Sequence, residues 1–200
     1  MYYLGLDLGQ KRDFSAVVVV ERIDQRRAFM GSSFEKVVVR YAERLPLGTP
    51  YPRVVERVRE IVRCDELFGN CAVAVDATGV GAPVVDMLRA ARLGCDLSAV
   101  TITGGDRGQG KDSVPKRDLI AEVQVLLETG RLKIGSIREA ARLRRELMDM
   151  RASATGAGRV RMGAEGCGEH DDLVIALALA CWRARRRVTD GEGTRRLPGI

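Results

Sequence analysis

The order of strands and helices along the chain predicts an α/β fold, a mixed β-sheet flanked by helices on both faces. Three observations carry that expectation. Residues 2–8 and 14–22 read as successive strands, and the second holds the β-branched run Val17-Val18-Val19-Val20, as suits a strand covered on both faces. Residues 71–75, 84–92 and 97–102 read as strand, helix and strand, a unit whose parallel crossover is right-handed. Three early strands followed by alternating elements fill the layers of such a sheet.

Taken in order, Gly9-Gln10-Lys11-Arg12-Asp13 is a turn that makes the first two strands a hairpin. A third strand is expected at 34–41. Residues 45–52 hold three prolines and read as turns, after which Val54, Val55, Val58, Ile61 and Val62 recur at helical spacing. The strand 71–75 ends at Asp76, and Gly79-Val80-Gly81-Ala82-Pro83 leads into the helix 84–92. Residues 104–113 are rich in glycine and charge and read as a mobile loop. Pro115 suits the first turn of a helix over 116–128, which Gly130 ends. A short extended piece at 132–134 and a helix over 137–150 follow. Residues 154–168 contain five glycines around Val160-Arg161-Met162, the pattern of a loop enclosing a short strand. The last helix is expected at 171–186. One domain over 1–187 and a basic flexible tail over 188–200 complete the reading.

Composition removes several function classes. No apolar run in the 200 residues approaches the ~18 that a membrane helix requires, and the first residues lack the pattern of a secretory signal. The five cysteines are odd in number and show no C-x-x-C spacing, which argues against zinc or a disulfide framework and for a reducing cytoplasm. The net charge of +6, with Arg in excess of Lys, suits a polyanionic partner, because a guanidinium pairs with phosphate through two parallel donors. Much of that charge lies in the tail, where solvated side chains explain it equally well.

The chemistry resides in acidic residues. Asp7 and Asp76 each end an apolar strand, and each is followed within three residues by glycine, which lets a phosphate or metal complex approach the backbone. Ligands of such sheets collect at the carboxyl ends of strands. Neighbouring strands would place the two carboxylates roughly 5 Å apart. Asp171 and Asp172 follow His170, the chain's one histidine, and precede nine consecutive apolar residues from Leu173 to Cys181. A helix cap explains one aspartate there; a second one calls for a further role. Carboxylate oxygens are the hard donors that Mg²⁺ and Mn²⁺ prefer. Asp7, Asp76, Asp171 and Asp172 are therefore the candidate catalytic and metal-binding residues.

These segments resemble the nuclease domain of phage terminase large subunits, of the RNase H-like superfamily. The resemblance is carried by Gly5-Leu6-Asp7-Leu8-Gly9 with Asp13, Val75-Asp76-Ala77-Thr78-Gly79-Val80-Gly81, Val114-Pro115-Lys116-Arg117-Asp118-Leu119, Gly130-Arg131-Leu132, and His170-Asp171-Asp172-Leu173-Val174-Ile175-Ala176-Leu177-Ala178. It implies an endonuclease that cuts concatemeric phage DNA during packaging, with two Mg²⁺ or Mn²⁺ ions held by Asp7, Asp76 and one or both of Asp171 and Asp172. It also implies double-stranded DNA, an ATPase motor, a small terminase subunit and a capsid portal as partners. Lys116 and Arg117, with Lys111 and Arg107 in the preceding loop, are candidate DNA contacts. Large subunits carry a motor before the nuclease, whereas Met1 here directly precedes the first strand, so an excised or separately encoded nuclease is expected.

Rival readings exist. Gly105 to Asp112 nearly matches a phosphate-cradling G-x-x-x-x-G-K-[ST] loop, but Asp112 stands where a hydroxyl is required. An actin-like ATP-binding domain shares this core yet leaves the Asp171–Asp172 pair without a role. A Holliday-junction resolvase would use the same chemistry on branched DNA.

Overall fold

The computed structural model describes residues 1–9, 13–26, 33–79, 81–105, 110, 112–154, 160–164 and 171–186. The elements are β1 (Tyr2–Asp7), β2 (Ala16–Arg26), β3 (Ser33–Arg44), α1 (Tyr51–Val62), β4 (Cys71–Asp76), α2 (Gly81–Ala90), β5 (Asp96–Thr103), β6 (Ser113–Pro115), α3 (Lys116–Glu128), β7 (Leu132–Ile134), α4 (Ala140–Asp149), β8 (Met150–Ala154), β9 (Val160–Ala164) and α5 (Asp172–Arg185).

Seven strands form one sheet in the order β6-β5-β4-β1-β2-β3-β7, and β8 and β9 form a separate two-stranded ribbon. Only β2 is antiparallel to its neighbours in the large sheet, so β1, β3 and β4 all end at the same edge. Alternation along the strands explains the layers. Leu4, Leu6, Val17, Val19, Val73 and Val75 face one side and meet α1 and α2. Tyr3, Ala16, Val18, Val20, Ala72 and Ala74 face the other and meet α3, α4 and α5. Covering both faces makes these strands uniformly apolar, as the valine run predicts.

Helix α5 is the central element of the second layer, buried from Asp172 to Ala184. It lies directly on β1, where a Cβ at Gly5 would fall 1.8 Å from the carbonyl oxygen of Ala176 and 2.7 Å from the Ala180 nitrogen. Small residues at 5, 176 and 180 thus let helix and strand backbones touch.

Several boundaries differ from the sequence reading. Strand β6 follows the glycine loop expected at 104–113 and shares only Ser113 with it; it pairs with β5 through three residues, too few for periodicity to register. Strand β2 extends beyond 22 and β3 beyond 41 because their antiparallel ladder is long at both ends, from Arg26↔Ser33 to Ala16↔Arg44. Helix α2 begins at Gly81, before Pro83, since proline is tolerated in a first turn. Helix α4 begins at Ala140 and gives way at Met150 to β8, whose partner β9 supplies the ladder that sequence could not reveal. The expected tail at 188–200 lies outside the described residues.

Candidate active site at the carboxyl edge of the sheet

Strand register assembles the site. Leu6 pairs with Val75, so Asp7 and Asp76 are the next residues along adjacent parallel strands. Asp7 pairs in turn with Ala16, and Ala16 with Arg44. Asp76, Asp7, Ala16 and Arg44 therefore form one row across four strands. Alternation turns them all toward α5, because Ala74, Gly5 and Ala42, two residues earlier on their strands, face that helix layer. With α5 seated on Gly5, its amino end carries Asp171 and Asp172 over the row.

The turns beyond each strand are fixed locally. Asp76 Oδ1 accepts the Thr78 backbone N–H at 2.8 Å, and Thr78 Oγ1 accepts the Ile102 N–H at 2.7 Å, tying the ends of β4 and β5 together. Gly79 has φ +77°, a conformation that favours glycine. At the end of β1 the Gly9 N–H donates to Ser15 Oγ at 3.1 Å. A Cβ on Gly9 would meet the Asp13 carbonyl oxygen at 2.2 Å.

The resulting cleft of about 310 Å³ is lined by Asp7, Gly9, Asp13, Asp76, Thr78, Lys116, Asp171 and Asp172, among others. Burial holds the Asp7 carboxyl well above the usual carboxylate range, and Asp76, Asp172 and Asp171 push it further, with Lys116 opposing. Asp76 is raised too, by burial, against the pull of its hydrogen bonds from Thr78 and of Lys116. The cleft thus holds more negative charge than its surroundings balance. Lys116 Nζ supplies part of the balance, 2.6 Å from Asp171 Oδ2.

Asp172 is nearly enclosed, 5% exposed. Its Oδ2 lies 3.0 Å from Arg44 Nη2, at ion-pair distance though out of line for a hydrogen bond. Arg44 also lies over the Phe14 ring at 3.9 Å, and its Nη1 is 3.8 Å from Glu146 Oε1. Glu146 Oε2 accepts the Leu173 N–H at 3.0 Å. Burial pushes the Glu146 carboxyl up to about 7, opposed by Arg44 and by this backbone bond.

The donor set fits a hard divalent cation, because oxygen ligands from three separate segments face one cleft, where burial raises both Asp7 and Asp76 and the neighbouring carboxylates raise Asp7 further. Among the described residues no three such side chains already converge at ligating distance, and Lys116 stands against Asp171. The carboxylates are gathered, and a cation would have to draw them in.

Of the residues the sequence singles out, the structure brings together Asp7, Asp76, Asp171, Asp172, Asp13 and Lys116. Arg117 lies outside the cleft lining, beside Asp118 at 3.2 Å. Arg107, Lys111 and His170 lie outside the described residues. Thr78, Arg44 and Glu146 were not assigned from sequence. Thr78 stands inside a quoted motif, two residues beyond Asp76, the spacing of a side chain that caps its own turn. Arg44 and Glu146 depend on strand pairing and on packing of α4 against α5, for which the sequence has no local mark.

The chain matches no protein-family model and no curated protein sequence. Solved structures do match. The large terminase nuclease from thermophilic phage G20c with bound cobalt is 25% identical over 92% of this chain and 81% of that one, with a TM-score of 0.66. The same nuclease with bound magnesium gives 25% identity, the same coverage and a TM-score of 0.64. The nuclease domain of the large terminase subunit gp2 of bacterial virus Sf6, with manganese and beta-thujaplicinol, shares the fold at 14% identity, over 90% of this chain and 87% of that one, with a TM-score of 0.63. The chain is an RNase H-like α/β domain with the fold of the nuclease domains of phage large terminases.

Proposed function

We propose that this chain is a divalent-metal-dependent endodeoxyribonuclease that cuts concatemeric phage DNA during genome packaging. The observation that carries the reading is the gathering of Asp7, Asp76, Asp171 and Asp172, from three distant segments, in one cleft at the carboxyl edge of the sheet. The structural neighbours with bound magnesium, cobalt or manganese support it. In this reading Asp7 is the central ligand, flanked by Asp76 on the adjacent strand and by Asp171 and Asp172 from above. Two Mg²⁺ or Mn²⁺ ions held by these aspartates would supply an activated water and stabilise the charge on the departing 3′ oxygen.

The chain's own groups then have separate tasks. Thr78 fixes one oxygen of Asp76 by its backbone N–H, which leaves the other for a ligand. Lys116 exchanges its contact with Asp171 for a DNA phosphate and holds the strand against the cleft. Arg107 and Lys111, from the sequence, are further candidate contacts to DNA. No base-reading element is required, so cleavage has weak sequence preference. An ATPase motor, a small terminase subunit and a portal are the expected partners, in the cytoplasm of the host cell.

The test is plasmid nicking with Mn²⁺, with Mg²⁺ and with EDTA, alongside Asp76→Asn. Nicking and linearisation that need both a metal and Asp76 are expected. Cleavage that persists in EDTA or in Asp76→Asn removes the proposal. Preference for branched over linear DNA would instead favour a junction resolvase.

A further inference from the structure

Asp172 is a carboxylate with almost no access to water, and such a group needs a cation or donors around it. Arg44 meets that need from an unexpected place. It ends β3, two strands away from β1, and reaches the site because the reversed strand β2 brings the end of β3 level with Asp7. Its side chain is 12% exposed and restrained on several sides. The Phe14 ring lies under the guanidinium at 3.9 Å, Glu146 stands 3.8 Å from Nη1, and Asp172 Oδ2 stands 3.0 Å from Nη2. Glu146 is itself anchored by the Leu173 N–H at 3.0 Å. It thereby caps α5 from another helix, at an end where Asp171 makes no side-chain cap.

Fold stability alone does not call for this arrangement, since apolar side chains of similar volume commonly serve as well as a buried ion pair. An ion pair instead fixes where one particular oxygen stands. We infer that Arg44, braced by Glu146 and Phe14, is the positioning residue that holds the Asp172 carboxylate in place at the metal-binding cleft. This rests on the nuclease reading and deepens it. Ligating carboxylates are commonly oriented in this way by a partner behind them.

The sign of the effect separates positioning from charge. If Arg44 acted through charge alone, removing it would leave the cleft more negative and Mn²⁺ would bind more tightly. A positioning role predicts weaker binding. The experiment measures Mn²⁺ binding by calorimetry, with urea unfolding and the Mn²⁺ dependence of plasmid nicking, in the full chain and in Arg44→Met, Arg44→Lys and Asp76→Asn. Arg40→Met, on the exposed face of the same strand and paired with Glu21, is the control and binds Mn²⁺ as the wild type does. Arg44→Met is expected to weaken Mn²⁺ binding about tenfold or more, with nicking displaced to correspondingly higher Mn²⁺. Arg44→Lys is expected to recover part of this, because an ammonium keeps the charge but not the planar fork. Folded Arg44→Met that binds Mn²⁺ as tightly as wild type, or more tightly, overturns the inference. Should Arg44→Met fail to fold, Arg44→Lys decides alone, and wild-type Mn²⁺ affinity in it overturns the role. A wild type whose Mn²⁺ binding is indifferent to Asp76→Asn fails differently, by removing the nuclease reading itself.

Discussion

Gly5→Ala tests whether close backbone packing sets the catalytic geometry. One methyl group at this position would stand 1.8 Å from the Ala176 carbonyl oxygen and 2.7 Å from the Ala180 nitrogen. Both obstacles are backbone, so no rotamer change relieves them. Helix α5 must withdraw from β1 by roughly 1.2 Å before the nearer contact becomes tolerable. The helix is buried from Asp172 to Ala184, so its withdrawal loosens contacts along the whole second layer. Overpacking of this kind costs about 1–3 kcal/mol, and the upper end is expected when backbone has to yield. With a urea slope of about 2 kcal/mol/M, that lowers the unfolding midpoint by roughly 1.5 M. Ala176 lies about one turn from Asp172, so the acidic end of α5 moves with it. A shift of ~1 Å at a reacting centre costs on the order of 10²-fold in rate. Urea unfolding and plasmid nicking per folded molecule, at saturating Mn²⁺, measure both effects. A Gly5→Ala protein with the wild-type midpoint and full nicking would refute the claim that this contact holds Asp171 and Asp172 over Asp7.

Three further outcomes follow from the electrostatics. The folded-state pKa of Asp7 is raised, so its contribution to stability is present below its unfolded value and is lost as pH rises through the folded one. Asp7→Asn should therefore melt at a higher temperature than wild type at pH 7 without metal, while losing nicking; a lower melting temperature contradicts the charge argument. Glu146 is likewise raised, to about 7 from 4.5, so its share of stability is fully present below pH 4.5 and disappears by about pH 7. Thermal melts of Glu146→Gln between pH 4.5 and 8 should decline less steeply than those of wild type, and parallel curves would refute this. Lys116→Met should weaken nicking while Mn²⁺ binding is retained or strengthened, because Asp171 loses the ammonium beside it. A loss of Mn²⁺ affinity by calorimetry would show Lys116 organising the ligands instead.

The sequence makes the sheet legible wherever burial writes a long pattern. Val17 to Val20, the apolar run before Asp76 and the nine apolar residues after Asp172 mark β2, β4 and α5. The last two deliver Asp76, Asp171 and Asp172, and Asp7 comes from the apolar strand β1 between β2 and β4. Strand β6 escapes, because its three paired residues Ser113–Pro115 have no period. Strand β8 escapes because only its pairing with β9 defines it, whereas β9 lies at the short strand expected around Val160-Arg161-Met162. Arg44 and Glu146 escape for a deeper reason. A charged residue that follows alternating Tyr41-Ala42-Glu43 reads as the solvated end of an edge strand. Only the register Asp7↔Ala16↔Arg44 shows that it belongs to the acidic row.

That register also explains how one sheet edge tolerates so many carboxylates. Strands β1, β3 and β4 run in the same direction, so whatever ends them is collected at one edge. Two of these ends are acidic and the third is Arg44. Helix α5 adds two more carboxylates from above, and the amino end of α3, at the same edge, supplies Lys116. The cations stand at the periphery of the cleft and each engages an aspartate of α5, Arg44 with Asp172 and Lys116 with Asp171. Asp7 and Asp76, on the strands, are left with raised pKa values. The division is chemically useful. Aspartates on a helix can be displaced by small movements of its end and benefit from a restraint, whereas those on central strands are fixed by the ladder itself. Burial disfavours their charged forms, so a divalent ion held there would offset that cost by displacing their protons.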